Sequence, residues 1–263
     1  MNHKSLSAYP ASSSDLECTT VWSFPSRGDW ATHNAAYRGN WAPQIARNLI
    51  LRYTKEGDTV LDQMMGAGTT MVECKILNRK GLGMDINPEA VRLAKAHLDF
   101  PSEHSPTISI FCGDARNLSE IPDNSVDLVA THPPYVDIVR YSDGKIDADM
   151  SNIHNVEKFC DEMEQVARES YRVLKPNQFC AILMGDTRRE GLYIPLAYRV
   201  LDRFLKVGFA LKEDVVKVQH NCKMTGYWRS QSRRFNFLLI MHEHLFIFRK
   251  LAQTPGRRNQ PLV

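Results

Sequence analysis

Three aspartates, Asp62, Asp85 and Asp114, each follow an apolar run, at "TVLD", "GLGMD" and "ISIFCGD", and the glycine turn "QMMGAGTT" begins directly after the first. Gly66 and Gly68 let the backbone turn tightly and approach a ligand before a helix starts. A carboxylate at the next strand end accepts hydrogen bonds from ribose hydroxyls, and a third can meet an adenine amino group. Thr69 and Thr70 follow the glycines where a phosphate loop needs lysine, and the third glycine of the dinucleotide fingerprint is missing. The set therefore describes a pocket for a nucleoside that carries no phosphates. Taken singly, each signal also has a plainer reading. Two glycines serve any tight strand-to-helix turn, and Asp85 could cap a helix, although Asn87 fills that role better.

A second cluster is "THPPY", residues 131–135, at the end of the apolar run "VDLVA". Two prolines cannot donate to a ladder and each fixes φ, so the strand must stop and Tyr135 is held on a stiff turn. The alternative is a plain strand-end turn with an aromatic core residue. His242 and His244 alternate onto one strand face and His220 stands alone. No cysteine or carboxylate cluster completes a site with them, so no metal is expected.

The elements that must position these residues alternate. "PQIARNLILRYT" (43–54) spaces Ile45, Leu49 and Ile50 as a helix with proline in its first turn. Strands are expected at 58–62 and 80–86, in "TISIFCGD", in "VDLVATH" and in "QFCAILMGD". Helices are expected from about 69 to 78, at 87–98 with Asn87 as N-cap, at 156–174, and in "PLAYRVLDRFLKVG" up to Gly208. "FNFLLIMHEHLFIFRK" supplies one or two closing strands. This alternation predicts a mostly parallel sheet wrapped by helices on both faces.

With 263 residues and 43% hydrophobic content the chain can bury one large core. A single domain is expected over 21–250, between a Ser-rich tail at 1–20 and a basic tail at 251–263. Six cysteines without a C-x-x-C pair read as reduced residues of a cytoplasmic protein. No signal-peptide core and no apolar run of about 18 residues is present, so no membrane contact is expected. A net charge of +3 from 33 basic and 30 acidic residues announces no nucleic-acid binder. Its distribution is uneven, because residues 212–234 are locally basic while 143–169 are acidic. The helix at 156–174 should turn its acids to water, a face that would repel DNA.

"LDQMMGAGTTMVECKILNRKGLGMDINPEAV" resembles the S-adenosylmethionine motif of the amino DNA methyltransferases, D-P-F-x-G-x-G-T-T followed by G-x-D-I-N. "THPPY" resembles their catalytic tetrapeptide, S-P-P-Y in most N4-cytosine enzymes and D-P-P-Y or N-P-P-Y in most N6-adenine enzymes. "YRGNWAPQIARNLI" is similar to the segment that precedes the cofactor motif in this family, and "VKVQHN" and "HEHLFIFRK" resemble its closing strands. Two departures stand out. Gln63 and Met64 replace Pro-Phe, and His132 replaces the first residue of the tetrapeptide.

The resemblance implies a class I (Rossmann-like) α/β methyltransferase with a doubly wound, mostly parallel, seven-stranded sheet. It implies S-adenosyl-L-methionine as cofactor, held by Tyr37, by Asp62, Met64, Gly66, Gly68, Thr69 and Thr70 of the first motif, by Asp85 and Ile86, and by Asp114 and Ala115. It implies a catalytic turn of His132, Pro133, Pro134 and Tyr135. There an acceptor on the target amino group frees its lone pair, and Tyr135 stacks on a flipped base. A neutral His132 has one acceptor nitrogen and a protonated one has none, so activity should fall as pH drops through its pKa.

Double-stranded DNA is the implied partner, with cytosine N4 slightly favoured because the adenine enzymes' acid is missing. Lys223, Arg229, Arg233 and Arg234 would grip phosphates, and Tyr227 and Trp228 would wedge or stack; the same stretch also reads as a solvated hairpin loop. The loop 136–155 reads as a lid over the target base. With no room for a large target-recognition domain between the motifs, short loops, a homodimer or a separate specificity subunit must supply specificity. Two rivals remain: an RNA amino-group methyltransferase, which would bring an added RNA-binding domain, and a non-catalytic binding subunit whose site has decayed at His132.

Overall fold

The structure, a computed structural model, describes residues 16–136, 139, 141–142, 144–221 and 224–252. The expected alternation is present: β1 (Val21–Ser23), α1 (Pro43–Tyr53), β2 (Thr59–Asp62), α2 (Thr69–Ile76), β3 (Lys80–Asp85), α3 (Pro88–His97), β4 (Ile108–Cys112) and β5 (Val126–Thr131). It continues through α4 (Val156–Val173), β6 (Leu174–Met184), the small hairpin β7 (Thr187–Arg189) and β8 (Leu192–Ile194), α5 (Leu196–Val207), β9 (Ala210–Val218), α6 (Thr225–Phe235) and β10 (His242–Arg249).

The main sheet runs β1-β9-β10-β6-β5-β2-β3-β4. Pairings among β2 to β6 are parallel, and β10 runs antiparallel to both β6 and β9. The order reverses between β2 and β5, and open α/β sheets bind ligands at the strands' carboxyl ends at such a switch point. Every residue of β5 is buried, as a central strand covered on both faces requires. One apolar cluster packs α4 and α5 on one face and another packs α1, α2 and α3 on the other.

The sheet has eight strands where seven were expected. The eighth, β1, pairs parallel to β9 through three residues, with only Trp22 buried among them. So short a strand leaves no periodicity to read. On α4 the acids Glu157 and Asp161 face water as expected, but they are paired. Arg199 and Arg203 of α5 pair with Glu157, and Arg203 also reaches Asp161 and Glu164, so α5 offsets part of the charge on that water-facing side.

Buried Glu73 on α2 ties down the segment before α1. It accepts hydrogen bonds from Trp30 Nε1 at 2.7 Å and Arg47 Nη1 at 3.0 Å, and lies 2.8 Å from His33 Nε2. That staple carries the 37–41 stretch to the sheet's carboxyl edge.

Candidate active site

A cleft opens there, at the carboxyl ends of β2, β3 and β5. Of the cofactor residues expected from sequence, Tyr37, Asp62, Met64, Gly66, Asp85, Ile86, Asp114 and Ala115 line it, together with His132 and Pro134 of the turn. Gly68, Thr69, Thr70, Pro133 and Tyr135 do not.

The glycine turn shows why its residues part company. Gly66 has φ +53°, a region that disfavours side chains, and an added Cβ would meet the Tyr37 ring at 3.0 Å. Its N–H donates to Asp85 Oδ2 at 2.9 Å. Gly68 faces away, where a Cβ would lie 2.8 Å from the Ala94 Cβ on α3, so it serves helix packing. Thr70 Oγ1 donates to Asp62 Oδ2 at 2.5 Å and Thr131 Oγ1 to Asp62 Oδ1 at 3.0 Å. Burial pushes the Asp62 carboxyl up to about 7 despite these donors. Asp62 thus pins β2 to α2 and β5 as well as lining the cleft.

Asp85 accepts from the Gly66 and Asn87 N–H groups, and Asn87 caps α3 by accepting from the Glu89 N–H at 3.0 Å. Burial raises the Asp85 carboxyl. Asp114 is held by Arg116, whose Nε and Nη2 donate to it and whose Nη1 reaches Glu162. Burial pushes that carboxyl up, but Arg116 outweighs it and holds it low.

Gln63 and residues 39–41, which lie in stretches the resemblance singled out, also line the cleft, and sequence reasoning missed Met65, Asn87, Tyr141, Ala148, Asp149 and Met150 as wall residues. Tyr141 stacks on Tyr37 with centroids 6.1 Å apart, and Asn87 Nδ2 donates to the Tyr141 carbonyl. The described part of the 136–155 loop is therefore a wall of the cofactor cleft. Asp149 is 5% exposed, and its Oδ1 accepts from the Ser151 N–H. Its Oδ2, like buried Gln63 Oε1, has no partner. Two unmet acceptors on the residues of this cleft fit a ligand rich in hydroxyl and ammonium donors, as S-adenosylmethionine is.

At the turn, His132 Nε2 lies 2.6 Å from the Tyr135 hydroxyl, which donates to Glu243 Oε1 at 2.8 Å. Trp41 stacks on the imidazole, centroids 5.9 Å apart and planes 18° off parallel. Burial moves the His132 pKa down to about 4, well below a free imidazole. The acid limb expected from sequence is displaced to that range.

Farther out, Asp186, His242 and His244 bring ligand atoms within 4.8 Å of one another, the group among the described residues that could hold a metal ion. Glu243 between the two histidines is engaged elsewhere, and the fold supplies Asp186 as the third member of the group. Asp186 is already engaged, because its Oδ1 accepts from the Ala197 N–H at the start of α5 and its Oδ2 accepts from Tyr193.

The basic stretch forms α6, a helix where a loop was one reading, and it has no buried residue. Tyr227 is 53% and Trp228 48% exposed, and Arg229, Arg233 and Arg234 are exposed as well. Lys223 lies outside the described residues. Cys18, Cys74, Cys112, Cys160 and Cys180 are free thiols. No helix among the described residues is long and apolar enough to cross a membrane.

Sheet order, switch-point cleft and strand-end carboxylates define an S-adenosylmethionine-dependent methyltransferase fold. It matches the crystal structure of a SAM-dependent methyltransferase from Methanosarcina mazei with a TM-score of 0.55 at 17% identity, over 78% of this chain and 97% of that one. The family model described as DNA methylase, of the N6/N4 type, matches residues 2–96 and 126–260, and the chain belongs to that family. S-adenosyl-L-methionine is its cofactor. The type II methyltransferase M.MjaI of Methanocaldococcus jannaschii is 29% identical over 190 residues, 63% of this chain and 61% of that protein. The type II methyltransferase M.HpaI of Haemophilus parainfluenzae is 39% identical over 82 residues, 31% and 26% respectively. The chain thus spans less than two thirds of these relatives.

Proposed function

We propose that this protein methylates an exocyclic amino group of a base in DNA, cytosine N4 ahead of adenine N6. The observation that carries the reading is one shared cleft. His132 and Pro134 of the HPPY turn stand in the same wall system as Tyr37, Asp62, Gly66 and Asp85. The cofactor, when bound, supplies an electrophilic sulfonium methyl group. Asp85 and the free oxygen of Asp149 accept from its hydroxyl or ammonium donors, Tyr37 and Tyr141 wall it in, and Gly66 lets it approach the backbone. The turn holds the target nitrogen near the methyl group, and positioning supplies most of the rate in such a displacement.

The preference for cytosine rests on the residue at 132, which is not the acid usual in adenine enzymes. Residues 21–250 act as one methyltransferase domain, with α6 as the DNA-facing element: Arg229, Arg233 and Arg234 on phosphates, Tyr227 and Trp228 against bases. A homodimer or a separate subunit contributes to sequence recognition.

Mass spectrometry of nucleosides tests this, using plasmid DNA propagated with wild type or Asp85→Ala in a host without DNA methylation of its own. N4-methylcytosine with wild type alone is the expected result. N6-methyladenine would overturn the base, and unmodified DNA beside methylated RNA would overturn the polymer.

A further inference from the structure

Two closing strands meet the HPPY turn through a chain of polar contacts. Glu243 on β10 stands directly opposite Lys217 on β9, and Lys217 Nζ donates to Glu243 Oε2 at 2.8 Å. Glu243 Oε1 accepts from the Tyr135 hydroxyl, and the phenol oxygen lies 2.6 Å from His132 Nε2. Glu243 is buried, only 6% exposed. Gly185, just past β6, makes room for the Tyr135 ring, since a Cβ there would sit 2.6 Å from it. Tyr135 is therefore spent on this chain and absent from the cleft lining.

Counting protons along the chain fixes their places. Burial pushes the Glu243 carboxyl up, but Lys217, His132 and Tyr135 together hold it below its ordinary range, so it stays ionised and can only accept. The Tyr135 O–H then points at Glu243, and the phenol oxygen has only lone pairs to offer His132. His132 must donate from Nε2, and the neutral ring carries its lone pair on Nδ1. Burial, helped by Lys217, keeps the ring neutral against the charge of Glu243 and a backbone hydrogen bond to Gly39 of the cleft wall, both of which favour the protonated form. Asp186 adds negative charge around Tyr135.

We infer that Glu243, anchored by Lys217 and acting through the Tyr135 hydroxyl, is a positioning residue that fixes His132 as the Nε2–H tautomer and makes Nδ1 the proton acceptor for the amino group being methylated. The inference rests on the amino-methyltransferase reading above. As the amino nitrogen forms its bond to the methyl carbon, the sulfur–carbon bond breaks and its electron pair stays on sulfur. The nitrogen, now cationic, passes one proton to Nδ1, and the imidazolium faces the Glu243 carboxylate across the phenol until water takes the proton. An ammonium attached to an aromatic base is a strong acid, so an imidazole of low basicity suffices. Serine or asparagine at position 132 could accept a hydrogen bond but could not keep a proton; histidine can do both, provided its tautomer is set from behind.

The test is proton–nitrogen NMR of the histidine rings in the full-length protein, with His132→Ala for assignment, beside kcat and the affinity for S-adenosylhomocysteine. Wild type should show His132 as the Nε2–H tautomer. In Glu243→Gln the carboxamide donates to the phenol oxygen, Tyr135 turns its O–H to Nε2, and the ring should become Nδ1–H. With it kcat should fall on the order of 100-fold, at unchanged affinity for S-adenosylhomocysteine. Tyr135→Phe, which removes only the hydroxyl, should leave a mixed tautomer and a similar loss. An Nδ1–H ring in wild type, or a tautomer indifferent to Glu243→Gln, would overturn the inference whatever the substrate. A correct tautomer without DNA methylation would support the relay and count against the function reading alone.

Discussion

The cofactor side of the cleft comes from consecutive strand–turn–helix units. Asp62 closes β2, Gly66 sits in the next turn, and Asp85 closes β3 with Asn87 capping the helix beyond it. The base side is assembled from distant pieces: Trp41 before α1, His132 and Tyr135 after β5, Glu243 on β10 and Lys217 on β9. The difference teaches that a nucleoside pocket can be written into local sequence, because each strand end carries its own ligand-facing residue. A tautomer-setting relay needs the sheet to bring together partners that lie far apart in the chain.

Three perturbations act on the two sides unequally. The largest effect is expected from Asp85→Ala, which removes an acceptor and frees the Gly66 and Asn87 N–H groups it holds. Calorimetric titration should show cofactor affinity falling on the order of 100-fold, with the circular dichroism of the folded chain retained. If affinity is unchanged, the cofactor side is not where the strand-end carboxylates place it.

A smaller effect should follow from neutralising α6. The triple variant Arg229→Ala, Arg233→Ala, Arg234→Ala should weaken DNA binding uniformly across sequences. It should also flatten the dependence of log affinity on log salt, by about 0.9 for each phosphate that the protein no longer neutralises. Cofactor affinity should not move. An unaltered salt slope in fluorescence anisotropy would remove α6 from the DNA-facing surface.

The effect that is smallest per step, about tenfold in the unfolding equilibrium for each pH unit, separates scaffold from chemistry at Asp62. Its carboxyl is raised in the folded state to about 7 from an ordinary 3.8. Its contribution to stability is therefore fully present below the ordinary value and is lost as pH rises through about 7. Urea unfolding between pH 4 and 7 should show wild type losing stability relative to Asp62→Asn, by at most about 1.4 kcal/mol per pH unit. A constant difference between the two across that range would show that Asp62 is ionised throughout.

The sequence by itself determined the alternation of strands and helices, the Asn87 cap, the glycine turn and the order of the two motifs. Each depends on residues a few positions apart, whose spacing dictates local backbone and exposure. It also singled out Asp62, Asp85 and Asp114, which line the cleft, because in a parallel sheet every strand delivers its last residue to the same edge. Gly68 and Thr70 show the limit. Both sit in the motif, yet Gly68 packs on Ala94 and Thr70 bonds Asp62, and only packing assigns a turn residue to helix or ligand. The eighth strand, the Asp149 acceptor, the approach of Asp186 to His242 and His244, and the service of Tyr135 to His132 and Glu243 were decided by tertiary structure alone. Strand order and register bring these groups into contact, and neither can be read from the residues nearby in the chain.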